Sequence, residues 1–164
     1  VAIQSGVTGR VPKGSEPVAD APHAQEELSE TMQRAYAAID AGDYDAATTA
    51  YEQALAERPG DEEARLGLAQ VALLRRTDGV AHIPARKAAA DNPVDVAAQT
   101  LVADLDVLGG HVEDAFARLI DTVRATSGPD RLAAKDHLLG LFDVVGAADP
   151  RVIAARKALT AALF

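Results

Sequence analysis

Alanines recur every 34 residues through the middle of the chain. Ala35, Ala69 and Ala103 form one series, Ala47, Ala81 and Ala115 a second, and Pro59 and Pro93 keep the same spacing. A period of this length marks a helix-turn-helix unit that cannot bury its apolar face alone and must stack on its neighbours. The chain is therefore constrained to a row of paired helices, packed closely through small side chains. With aromatics at only 4%, the core is expected to be thin, without room for a large buried catalytic cavity.

The 164 residues divide into two parts. Residues 1–24 hold Gly6, Gly9, Pro12, Gly14, Pro17 and Pro22 with scattered Ser and Thr, which denies them a sustained period and reads as a linker. Residues 25–164 read as one helical domain. An i, i+3/i+4 stripe runs from Gln25 through Leu28, Met32, Ala35, Tyr36 and Ile39 to a stop at Gly42, and Asp43 can cap the next helix, which carries Ala47, Tyr51, Ala54 and Leu55 up to Pro59. Asp61, Glu62 and Glu63 open a second pair. Its second helix is irregular: Pro84 predicts a longer loop at 77–79 and a short helix from about Pro84 to Ala90. A third pair turns at Gly109-Gly110 and ends at Gly128-Pro129. Beyond it the period fails, and an atypical pair follows, one helix ending at Gly146 and one opening at Asp149-Pro150. A stack needs such an end, with one face packed and the other wet.

Little in the sequence carries chemistry. There is no cysteine, which removes disulfides, thiolate chemistry and Cys-based zinc sites. His23, His82, His111 and His137 lie in different segments without metal-ligand spacing. Asp104 and Asp106 are two apart on one helix, face different sides, and read as solvated surface rather than a catalytic pair. Gly109-Gly110 lacks the strand and the motif of a phosphate-binding loop. No catalytic residue, metal ligand or cofactor is assigned. The net charge is -9, and the excess is N-terminal: residues 1–110 carry 18 acids against 9 bases, residues 111–164 seven of each. Nucleic acid is thereby disfavoured as a partner, because that affinity rests on bases neutralising phosphates. No apolar run approaches the ~20 residues of a membrane span. Val1 opens no charged-then-apolar leader, and the missing initiator methionine suggests a fragment or a processed chain.

Ala35, Gly42, Tyr44, Ala47, Tyr51, Ala54 and Pro59 fall in order at the small, turn, aromatic, small, aromatic, small and proline positions of a tetratricopeptide repeat, which the chain resembles. The resemblance implies an all-α stack of antiparallel helix pairs, about three repeats plus the atypical C-terminal pair. In such arrays the first helix of each pair lines a concave groove, here Met32, Tyr36, Leu66, Gln70, Leu73, Thr100, Asp104 and Val107. Read instead as core, the same side chains lie under the linker or the terminal helices. The Lys and Asn of a carboxylate clamp are absent, since the corresponding pairs are Met32 with Tyr36, Leu66 with Gln70, and Thr100 with Asp104.

The block from Arg131 to Phe164, with Leu138-Leu139, Leu141-Phe142, Gly146, Asp149-Pro150, Val152, Arg156, Leu159 and Leu163-Phe164, is similar to the end of the thioredoxin-like tetratricopeptide co-chaperones of the YbbN type. That resemblance implies a non-catalytic cytoplasmic module that holds unfolded or oxidised client proteins; the family's thioredoxin-like domain is missing from this chain, and either lay upstream of Val1 or was never part of this member. It also implies docking to a chaperonin through Arg156, Leu159, Leu163 and Phe164, although Leu159 and Leu163 equally read as a seal for the last pair. Two rivals stay open: an adaptor for one peptide motif, and an oligomerisation or spacer domain.

Overall fold

The computed structural model describes residues 29–164 and is helical throughout, with no strand among them. The expected linker and the start of the first stripe at Gln25 and Leu28 lie outside the described residues. Eight helices follow in order: α1 (Glu30–Asp40), α2 (Tyr44–Glu57), α3 (Glu62–Thr77), α4 (His82–Asp91), α5 (Val96–Leu108), α6 (Val112–Ala125), α7 (Gly128–Val145) and α8 (Pro150–Leu163).

The repeat is visible in its turns. After α1, Gly42 takes φ 71, its N–H bonds Ile39 O, and the Asp43 N–H reaches Ala38 O at 2.8 Å. After α5, Gly110 takes φ 84, its N–H bonds Val107 O, and the His111 N–H reaches Asp106 O at 2.7 Å. Both are Schellman closures, which satisfy orphan carbonyls and demand the left-handed conformation that glycine adopts without strain. The turns at Pro59 and Pro93 also match. Arg58 and Asn92 have the same backbone angles within a degree, and Asp61 and Asp95 cap α3 and α5 by accepting the Ala64 and Ala98 N–H groups.

The second pair departs from the repeat as expected, and by more. Where α1 and α5 end, α3 runs on to Thr77, and α4 begins two residues ahead of Pro84. Proline sits in the first turn, where its missing N–H costs no intrahelical bond. Helices α3 and α4 do not pack side by side; α4 lies against α5. Two of the aligned alanines pay for this irregularity: Ala35, Ala47, Ala103 and Ala115 are fully buried, whereas Ala69 is half-buried and Ala81 is exposed just before α4.

Two apolar clusters result. Met32, Ala35, Ala47, Tyr51, Ala54, Ala64 and Val71 join α1, α2 and one side of α3. Leu73, on another side of α3, enters a larger cluster with Phe116, Leu119, Leu138, Phe142, Val152 and Leu159. Helix α3 is thus a wall shared by both. Helix α7 packs against α3, α5 and α6, and α8 packs against α6, so the aberrant end folds back over the third pair.

Candidate protein-binding site

Helix α5 organises the centre of the array. Its sequence is apolar nearly all round, and its middle, Val102 to Asp106, is buried without a break. Its polar residues must then find partners. Asp104 is 1% exposed, not solvated surface as the spacing implied, and Asp106 is 3% exposed. The expectation that they face different sides is met. Asp104 accepts from Arg76 Nε at 2.7 Å and Nη2 at 3.1 Å, and its Oδ1 lies 2.7 Å from His137 Nε2 on α7. Asp106 pairs with Arg86 of α4 at 2.6 Å and Arg118 of α6 at 3.4 Å. Two turns before Asp106, Gln99 donates to the Ala89 carbonyl at 2.7 Å and accepts from Arg118 at 2.9 Å. Four neighbouring helices are thereby tied to α5 by charge-assisted or amide hydrogen bonds.

Burial pushes the Asp104 carboxyl up, but the hydrogen bonds and charges of His137 and Arg76 outweigh it and hold the group below the ordinary aspartate value. A carboxylate only accepts, so His137 must carry its proton on Nε2. Arg76 is helical at this position because α3 runs on past the point where α1 and α5 end in the repeat register. Spacing alone did not reveal Arg76, Arg86, Gln99, Arg118 or His137 as partners. The signal was the apolar character of 96–108, which requires its acids to be paired.

The residues expected to line a groove separate into three groups. Met32, Leu73 and Asp104 are buried: Met32 lies in the first cluster, Leu73 in the second, and Asp104 beneath Arg76 and His137. Leu66, Thr100 and Val107 are half-buried, and Gln70 is exposed. Tyr36, 37% exposed, donates its hydroxyl to Glu63 at 2.5 Å and stacks edge-on with Tyr51. The Glu63 hydrogen bond, followed by burial, pushes the Tyr36 hydroxyl up to about 12. Helix α7 folds back onto α3, and beside this contact lies a recess of about 200 Å³ bounded by Glu62, Arg65, Leu66, Asp143, Gly146 and Ala147.

The C-terminal residues also diverge. Leu159 is buried and Leu163 half-buried in the second cluster, and the Arg156 guanidinium sits 5.1 Å over the Phe142 ring. Phe164 is fully exposed, as is much of Ile153. Between α6 and α8 runs a groove of about 290 Å³ with Phe116, Ile120 and Ala155 as its floor, Ala117, Ala154 and Ala158 as walls, and Glu113, Asp121, Arg124 and Arg151 at the rim. Among the described residues, no three His, Asp or Glu side chains come together to hold a metal ion, and no helix is long and apolar enough to cross a membrane.

A tetratricopeptide-repeat family model matches residues 75–164, more than half of the chain, and a second matches residues 38–75. The chain belongs to the tetratricopeptide-repeat family. Among curated proteins the array is similar to an uncharacterized protein of Mycobacterium bovis and to one of Mycobacterium tuberculosis, each 35% identical over 139 residues that cover 84% of this chain and 45% of the relative. The chain thus spans about half the length of the curated relatives it matches. No solved structure matches it significantly. Tetratricopeptide repeats are protein–protein interaction modules and generally non-catalytic, so the surfaces described above are read for protein partners.

Proposed function

We propose that this tetratricopeptide array is the client-binding part of a cytoplasmic thioredoxin-like co-chaperone, which captures apolar segments of unfolded or oxidised proteins without covalent chemistry and docks to a chaperonin by its last helix. The observation that carries the reading is the surface of α8, where Ile153 and Phe164 stand exposed and the α6–α8 groove opens onto Phe116 and Ile120. Leu132 and Leu139 on α7 add exposed apolar area. Aromatic and aliphatic anchors of this kind are what partner pockets engage. The length of the relatives that lies outside the match leaves room for the thioredoxin-like domain that the resemblance implies.

Deleting α8 is a poor test, because Val152, Ala155 and Leu159 belong to the core. Ile153→Ser with Phe164→Ser leaves those contacts in place. The wild-type chain should suppress light scattering of a chemically denatured client enzyme and retain chaperonin on a column. The double variant should keep its helical circular dichroism and lose the chaperonin. Retention unchanged by the double variant would remove the docking role, and saturable capture of one peptide motif without suppression of aggregation would make the array an adaptor instead.

A further inference from the structure

We infer that α4 is a hinged strap, latched to α5 by polar contacts and able to open while the rest of the array stays folded. The corresponding second helix of the next pair, α6, buries seven residues. Helix α4 buries only Ala89, which belongs to neither apolar cluster. Its N-terminus has no side-chain cap, Pro84 occupies its first turn, and Ile83 is 83% exposed. What holds it is Arg86 on Asp106 and Gln99 on the carbonyls of Ala89 and Asn92, with Arg118 steadying both Asp106 and Gln99 from α6. Few buried apolar contacts and partly exposed ion pairs define the low-stability end of a structure.

The latch grips the middle and C-terminal end of α4 and leaves its N-terminal end unheld, next to a loop in which Gly79 takes φ 66. Opening therefore starts at His82 and pivots about the Asn92–Asp95 turn. Alongside lies a cleft of about 520 Å³, lined by Arg86, Gln99, Asp106, Asp114, Arg118 and Asp121 among others. Arg86 is both latch and cleft wall, so release of α4 opens the cleft on that side. The inference stands apart from the co-chaperone reading, since it rests on no property of a client.

Hydrogen exchange on the whole chain, read by mass spectrometry, tests it. Amides in 85–91 should exchange at least about tenfold faster than those in 100–107 and 115–123, as expected for a separately opening unit. Added salt should speed α4 alone. Arg86→Ala should speed α4 further and by much more than it speeds α5 or α6, and Arg86→Lys should restore most of the protection. Exchange of α4 in step with α5 and α6, or an Arg86→Ala effect spread equally over all three helices, would overturn the strap.

Discussion

Asp104 on α5 and His137 on α7 stand 2.7 Å apart although 33 residues separate them, and Arg76 of α3 closes the same carboxylate from the other side. Three first helices of successive pairs meet at one buried group. Removing one partner of such a cluster strands the others, whereas replacing the whole by apolar groups can be neutral. Because Arg76 and His137 keep partial access to water, Asp104→Ala should cost about 3 kcal/mol, at the low end for a broken buried pair. Urea unfolding measures it. Asp104→Leu combined with His137→Leu should recover part of the loss.

The same group sets an acid limit. Its folded pKa lies below the ordinary value of 3.8, so the stability it confers is complete above that value and is lost as pH falls through the depressed one. Urea midpoints in an acid series should decline over that window for the wild type. Asp104→Asn should start lower and decline less steeply there.

Gly67 and Tyr51 form a tighter relationship. A Cβ built on Gly67 would stand 2.3 Å from the Tyr51 ring, and that ring is buried. Alanine gains about 1 kcal/mol over glycine in a helix interior. Here the clash exceeds the gain, and Gly67→Ala should destabilise by about 1–3 kcal/mol, the usual range for overpacking. Paired with Tyr51→Leu, which vacates the contact, the same change should cost less than the sum of the two single substitutions. Thermal unfolding of the four proteins gives that coupling.

The sequence made legible what depends on local chemistry. Gly42 and Gly110 end helices because they accept positive φ, Asp43, Asp61 and Asp149 cap because their carboxylates accept first-turn N–H groups, and Pro84 marked the irregular pair. It did not disclose what depends on packing between helices distant in the chain. The overrun of α3 by a few residues and the return of α7 onto α3 and α5 turn Leu73 and Asp104 from groove-lining positions into core, and no spacing records that return. Ala81 shows the reverse error: its register matches Ala47 and Ala115, yet it lies outside a helix because its own pair has lost the repeat geometry.

Tyr36 and Glu63 give an alkaline counterpart to Asp104. The hydroxyl donates to a carboxylate, and ionising it would remove the donor and set two negative charges side by side. Hence its pKa rises from 10.0 to about 12, with burial adding to the Glu63 hydrogen bond. For a group whose folded pKa is raised, the stabilisation is complete below the unfolded value and is lost as pH climbs toward the folded one. With the ring 37% exposed, solvent screening keeps this contribution small. The readout is therefore spectroscopic. Of the three tyrosines, Tyr36 should be held back in a tyrosinate absorbance titration, together with Tyr51, which burial and Glu63 also raise. Glu63→Gln should bring Tyr36 back toward 10 while Tyr51 stays elevated by burial. A titration curve identical in the two proteins would show that Glu63 does not accept this hydrogen bond, and that α1 and α3 are held by apolar packing alone at this end of the array.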